Sequence, residues 1–212
     1  MIAIAVAASA TSANVQTRES DQQPTALHRE RIGPLLNSER IERKFGNYGI
    51  QVIEHSSRIR VSNLYSATVS GKTTRTLAIV FYPTKIHPPF ADEHRKIVVG
   101  GSIGSVFKDK GWSISKKHRY FGEISSSPEY RGLYQMMGGI EPSNLTVHVY
   151  DFNISKEGEE FKYATISEIH HPDYLGLDEV EVIYDEEQDA RTVDSMDLQP
   201  ILRTVYEKIK GL

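Results

Sequence analysis

The stretch Phe161 to Tyr174, FKYATISEIHHPDY, places a glutamate where a strand is expected to be buried. Under the two-residue alternation of a strand, Ala164, Ile166, Glu168 and His170 share one face, while Tyr163, Thr165, Ser167, Ile169 and His171 share the other. Burying an isolated charge is costly, so a carboxylate on a face that begins apolar is neutralised, paired with a cation or used to move a proton. Glu168 is therefore the first candidate for acid–base chemistry. Its bland alternative is an edge strand whose frayed end lets Glu168 reach solvent. Arg60 is the second candidate. In Arg60-Val61-Ser62-Asn63-Leu64 it shares a strand face with Ser62 and Leu64, and a guanidinium can clamp a substrate carboxylate through two parallel hydrogen bonds. The alternative there is a surface arginine beside Arg58.

Three further motifs compete for chemistry. Ser70-Gly71-Lys72-Thr73-Thr74 imitates the tail of a phosphate-binding loop, but such a loop needs a glycine where Ser66 stands, so a hairpin turn is expected. Gly100-Gly101-Ser102-Ile103-Gly104 matches the nucleophile elbow of serine hydrolases, with Ser102, Asp151 and His170 in a workable chain order. The elbow requires parallel strands alternating with helices upstream, and the sequence offers antiparallel hairpins there, which leaves an esterase as the third functional reading. His170, His171 and Asp173 suggest a metal, but adjacent strand residues point to opposite faces, so no metal site is expected from that pair. The absence of cysteine excludes disulfides, thiolate catalysis and cysteine-based zinc sites.

The elements that must position these residues follow from periodicity and punctuation. A short amphipathic helix starts near Asn37 or Ser38, either of which can cap it, and stops at Gly46. Strands are expected over Tyr48 to His55, Arg58 to Thr68 and Thr76 to Tyr82, joined by short turns into an antiparallel meander. Phe90 to Lys110 has helical spacing broken by Gly100, Gly101 and Gly104, giving two helical pieces, and a lysine-rich stretch follows Trp112. Pro128 to Met137 reads as a short helix stopped at Gly138-Gly139. Leu145 to Ile154 is a strand turned back by Lys156 to Glu160 into the opening stretch. Val180 to Tyr184 reads as a further strand, the acidic residues from 178 to 194 as a solvated loop without calcium-loop spacing, and Asp197 to Leu212 as a helix capped by Asp197.

A chain of 212 residues with 39% hydrophobic and 25% charged residues can bury one real core. A net charge of −3 with mixed signs offers no basic stripe, which argues against nucleic-acid binding. Met1 to Ala13 is an apolar run with small residues at its end, resembling a signal peptide without a basic start, and it is too short to span a bilayer. Polar residues 14–34 form a flexible lead-in, residues 35–176 the domain, and residues 177–212 an acidic loop and terminal helix.

The order of these pieces resembles bacterial chorismate lyase, from about Leu35 to Leu175. Asn37-Ser38 through Arg43-Lys44-Phe45 and then Gly49-Ile50-Gln51-Val52 resemble that family's opening helix and first strand. Arg60-Val61-Ser62-Asn63-Leu64 stands where the family carries its substrate-binding arginine, and Ser102-Ile103-Gly104 resembles its Pro-Leu-Gly at a helix start. Ser167-Glu168-Ile169-His170-His171-Pro172 resembles its Thr-Glu-Leu-x-x-Pro strand. The resemblance implies an α+β fold, an antiparallel β-sheet with helices packed on one side, which is also what the residues suggest. It implies elimination of pyruvate from chorismate to give 4-hydroxybenzoate without a cofactor or metal. Glu168 would be the catalytic carboxyl group, its pKa raised by partial burial. Arg60 and backbone amides near Ile103 and Gly104 would hold the substrate's carboxylates, with His170, at a position apolar in the family, as a further contact. That activity belongs in the cytosol, whereas Met1 to Ala13 favours export. The alternative is a non-catalytic module for a small aromatic carboxylate, like related regulator ligand-binding domains.

Overall fold

The computed structural model describes residues 35–69, 71–184 and 195–212. The signal-like segment 1–13, the lead-in 14–34, and residues 185–194 of the acidic loop lie outside the described residues. Six strands form one antiparallel sheet: β1 Gly49–His55, β2 Ile59–Thr68, β3 Gly71–Phe81, β4 Ser113–Ile124, β5 Leu145–Lys156 and β6 Glu159–His170, in the order β1-β2-β3-β6-β5-β4. The helices are α1 Asn37–Phe45, α2 Ala91–Val98, α3 Ile103–Asp109, α4 Arg131–Met136, α5 Leu177–Tyr184 and α6 Ser195–Lys210. The α+β class and the antiparallel sheet are those expected from the sequence.

The helices, however, cover both faces of the sheet rather than one. Leu77 and Ile79 of β3 enter a core with Leu133, Leu198, Val205 and Ile209 from α4 and α6. Ala78 and Val80, pointing the other way, meet Ile41 of α1 and Ile97 and Phe107 of α2 and α3. The apolar run Leu77-Ala78-Ile79-Val80 has no polar face to leave in water, so both sides of this central strand must be covered. On the α1–α3 face, Phe90, Ile97 and Phe107 are fully buried, each contributing about 1.5–3 kcal/mol relative to exposure. They seat the junction of α2 and α3 against the sheet.

Several local assignments are corrected. At the start of α1, Glu39 accepts a hydrogen bond from the Leu36 N–H at 2.9 Å, so neither Asn37 nor Ser38 serves as the cap. Asn37 is thereby free to reach the sheet. The lysine-rich stretch after Trp112 is the edge strand β4, whose lysines discourage addition of another strand. A bulge at Arg119 shifts its register, so that His118 pairs with Tyr150 and Phe121 with His148. Val180 to Tyr184 belongs to a helix, α5, because Asp178 and Glu179 favour a helix start and the buried Val180 and Tyr184 are one helical turn apart. The last helix begins at Ser195, ahead of Asp197. No helix among the described residues is long and apolar enough to cross a membrane.

Candidate functional site

On the α1–α3 face, β2, β3, β5 and β6 form the floor of a pocket. Its rim comes from the first residues of α1, Leu36 to Ser38, and of α3, Ser102 to Gly104. Arg60, Lys116 and Glu168 all line it, together with Ile103 and Gly104. A side chain at position 104 would collide with Leu36, so Gly104 is what lets the two rims meet. The cavity measures about 60 Å³, room for roughly four to six waters at about 10–15 Å³ each. A ring-sized ligand therefore enters only as the rims part.

Arg60 is 1% exposed. Its Nε donates to Ser62 Oγ at 2.8 Å, and its Nη1 donates to the carbonyls of Ile97 and Gly101 at 2.9 and 3.0 Å. Nη2 has no partner, and no carboxylate among the described residues pairs with this guanidinium. The arginine thus ties the α2–α3 junction to β2 while keeping one donor and its whole charge uncompensated.

Glu168 is 4% exposed on β6, directly across from His148 of β5. Asn37 donates through Nδ2 to Glu168 Oε1 at 3.0 Å and to Thr76 Oγ1 at 3.2 Å, while its own Oδ1 accepts from the Tyr174 hydroxyl. Burial keeps that hydroxyl protonated by raising its pKa. Glu168 Oε2 has no hydrogen bond. Burial by itself would push the carboxyl up, but Lys116, His170, the Asn37 amide and Arg40 together hold it below its ordinary value. The expected raised carboxyl is thus reversed: Glu168 is a carboxylate, suited to accept a proton. Lys116 donates to the Tyr184 hydroxyl at 3.3 Å and stands 4.4 Å over the Tyr150 ring. Arg40, 6% exposed, donates to the same hydroxyl at 3.0 Å.

His170 is set behind Glu168, not on the pocket wall. Its Nδ1 lies 3.1 Å from Thr76 Oγ1 and its Nε2 lies 4.0 Å from Glu168 Oε2. Burial pushes its pKa down to about 4, which outweighs the attraction of Glu168, so at neutral pH this contact is no salt bridge. His171, as expected from alternation, faces the other way and bonds the Met137 carbonyl. The partner that the sequence did not offer for His170 is His148, which together with Glu168 and His170 brings three buried ligand atoms within 4.8 Å of one another. The serine triad does not form. Ser102 follows a helix and turn instead of a strand, Asp151 is engaged by Thr165, Lys162 and Arg119, and His170 faces Thr76 and Glu168.

Sequence reasoning brought Arg60, Ile103, Gly104 and Glu168 to one place and missed Lys116, His148 and Arg40. A signal existed for His148. In Val147-His148-Val149-Tyr150 the valines claim one buried face, leaving His148 and Tyr150 on the other face of a strand with no exposed side. Compared with known proteins, no family model and no curated protein matches this chain. Among solved structures, the chain is similar to the ligand-binding domain of a protein assigned to the GntR family of transcriptional regulators from Bordetella bronchiseptica. Identity is 14%, the match covers 62% of this chain and 89% of that one, and the TM-score is 0.37.

Proposed function

We propose that the chain binds a small cyclic carboxylate in this pocket and eliminates pyruvate from chorismate there. The observation that carries the binding is Arg60, a buried cation lining the pocket with no counter-ion and an unused donor. Lys116 lines the same pocket and Arg40 stands beside Glu168, so positive charge exceeds the single carboxylate and an anion is favoured. For the elimination, the Glu168 carboxylate takes the proton from the ring carbon that bears the hydroxyl. That C–H pair becomes a ring double bond, the neighbouring C–O bond breaks with its electrons on the oxygen of the departing enolate, and the enolate takes the proton held by Glu168 at its terminal carbon to become pyruvate. Arg60 and Lys116 stabilise the charge gathering on the departing group.

Incubating the chain with chorismate and following pyruvate and 4-hydroxybenzoate by chromatography tests this directly: both accumulate beyond one equivalent. Binding without turnover is the second reading. It is favoured by the lowered pKa of Glu168, which weakens it as a base, and predicts that 4-hydroxybenzoate raises the melting temperature while chorismate stays intact. No stabilisation by either compound and no product would overturn both.

Arg60→Met removes the clamp together with its hydrogen bonds to Ser62 and to the carbonyls of Ile97 and Gly101, so the melting temperature falls as buried acceptors lose their donor. A charge-assisted hydrogen bond to the ligand is worth about 1.5–3 kcal/mol, so affinity for 4-hydroxybenzoate, read by calorimetry on the variant once circular dichroism shows it folded, falls about 10–100-fold.

A further inference from the structure

We propose that His148, Glu168 and His170 form a binding site for one divalent transition-metal ion of the zinc class, through Nδ1 of His148, Oε2 of Glu168 and Nε2 of His170. One ligand atom from each of the three residues lies within 4.8 Å of the other two, and Glu168 Oε2 and His170 Nε2 are 4.0 Å apart. All three residues are at most 4% exposed, and each of the three atoms is buried without a hydrogen-bond partner. Three such atoms gathered together is an expensive arrangement for a site that holds nothing, because a buried polar group without a partner is destabilising.

The outward atoms of the same side chains are all engaged. His148 Nε2 lies 2.7 Å from His118 Nδ1, His170 Nδ1 lies 3.1 Å from Thr76 Oγ1, and Glu168 Oε1 accepts from Asn37 at 3.0 Å. In the tautomers in which His148 Nε2–H and His170 Nδ1–H donate outward, both inward nitrogens carry lone pairs. This is how metal-ligating histidines and carboxylates are oriented by the residues behind them.

Two imidazoles and one carboxylate suit zinc, cobalt or iron(II) and leave coordination positions open. Bonds of about 2.1 Å require the ligand atoms to stand roughly 3.3 Å apart, so the three side chains draw in by about 1 Å on loading. Arg40 and Lys116 oppose an added cation, since both already bear on Glu168 and on the two histidines. The ion is therefore held together with an anion as an outer ligand, and small carboxylates strengthen its binding.

The loaded site claims the same Glu168 carboxylate that the proposed elimination needs free, so metal and turnover exclude one another and the two readings fail separately. The test uses the purified full chain, treated with chelator and titrated with Co²⁺ and then Zn²⁺ at pH 7.5, read by cobalt visible absorption and by calorimetry. One ion binds per chain, added acetate tightens it, and zinc displaces cobalt. His148→Ala and His170→Ala each abolish the cobalt spectrum, and Asn37→Ala, which keeps every ligand, weakens binding about 10–100-fold. Exposed His87→Ala changes nothing. Circular dichroism confirms that each variant is folded; for one that is not, His148→Gln or His170→Gln takes its place. Absence of stoichiometric binding, or binding unchanged in folded His148 and His170 variants, overturns the proposal. Pyruvate release measured in chelator reports on the elimination alone.

Discussion

Glu168→Gln will slow pyruvate release from chorismate by about 10²–10⁴-fold, the usual worth of a positioned proton acceptor, and will leave the chain folded. The amide is nearly isosteric with the carboxylate. Its oxygen can still accept from Asn37 Nδ2, as Oε1 does at 3.0 Å. Its nitrogen takes the place of Oε2, where a donor faces His170 Nε2 across 4.0 Å, and both of those atoms are without partners in the native chain. The substitution therefore removes a buried charge and sets a donor opposite the His170 ring nitrogen. Thermal unfolding should show a melting temperature equal to or above that of the native protein, which separates lost chemistry from lost structure. Binding of 4-hydroxybenzoate should tighten, because the one negative charge in a pocket with Arg60 and Lys116 is gone. A rate that survives the substitution would place the proton acceptor elsewhere.

The second large effect is on stability. The metal-free chain will lose several kcal/mol between pH 6.5 and pH 4. His170 titrates near 4 in the fold against an ordinary 6.5. Between those values the unfolded chain binds a proton that the folded chain refuses, so stability rises with pH across the window and falls as the solution is acidified. The shift corresponds to roughly 3 kcal/mol for His170 alone. His148 is displaced in the same direction and adds loss of the same sign. Glu168, held below its ordinary value, adds a further loss only below about pH 4.5, where the unfolded carboxyl begins to protonate. Urea unfolding at pH 7 and pH 4.5 measures the difference, and His170→Asn should flatten the profile. An unchanged midpoint across this range would mean that the imidazoles are charged in the fold.

The legible parts of this molecule were those in which local rules and tertiary demand agree. Two-residue alternation placed Glu168 on an inward face, apolar content on both sides marked β3 as central, and glycines at 100 and 101 divided α2 from α3. What escaped were arrangements decided by distant partners. The edge strand β4 reads as lysine-rich coil because its lysine stems lie over aromatic rings contributed by other elements, such as Lys116 over Tyr150. Val180 to Tyr184 is β-branched enough to suggest a strand, and only the bed supplied by β4 and β5, where Tyr184 meets His118, Phe121 and His148, makes one helical face worth burying. Asn37 looks like a helix cap, and its role in bonding Glu168 depends on Glu39 having taken that task. His148 could be suspected from its neighbours, but its meeting with Glu168 and His170 depends on the register between β5 and β6, which no short segment encodes.

Glu168 and Arg60 stand on interior strands while the residues that frame the opening belong to the first turns of two short helices. Such a division separates two kinds of inheritance. Exchanges at Leu36, Ser38, Ser102 or Ile103 can alter which molecule is admitted without disturbing Glu168 or Arg60, whereas the strand pairings that hold those two tolerate almost no drift. A lineage built on this plan can therefore diversify its ligands quickly while its chemistry changes slowly, and can lose turnover by a single exchange yet keep a serviceable receptor.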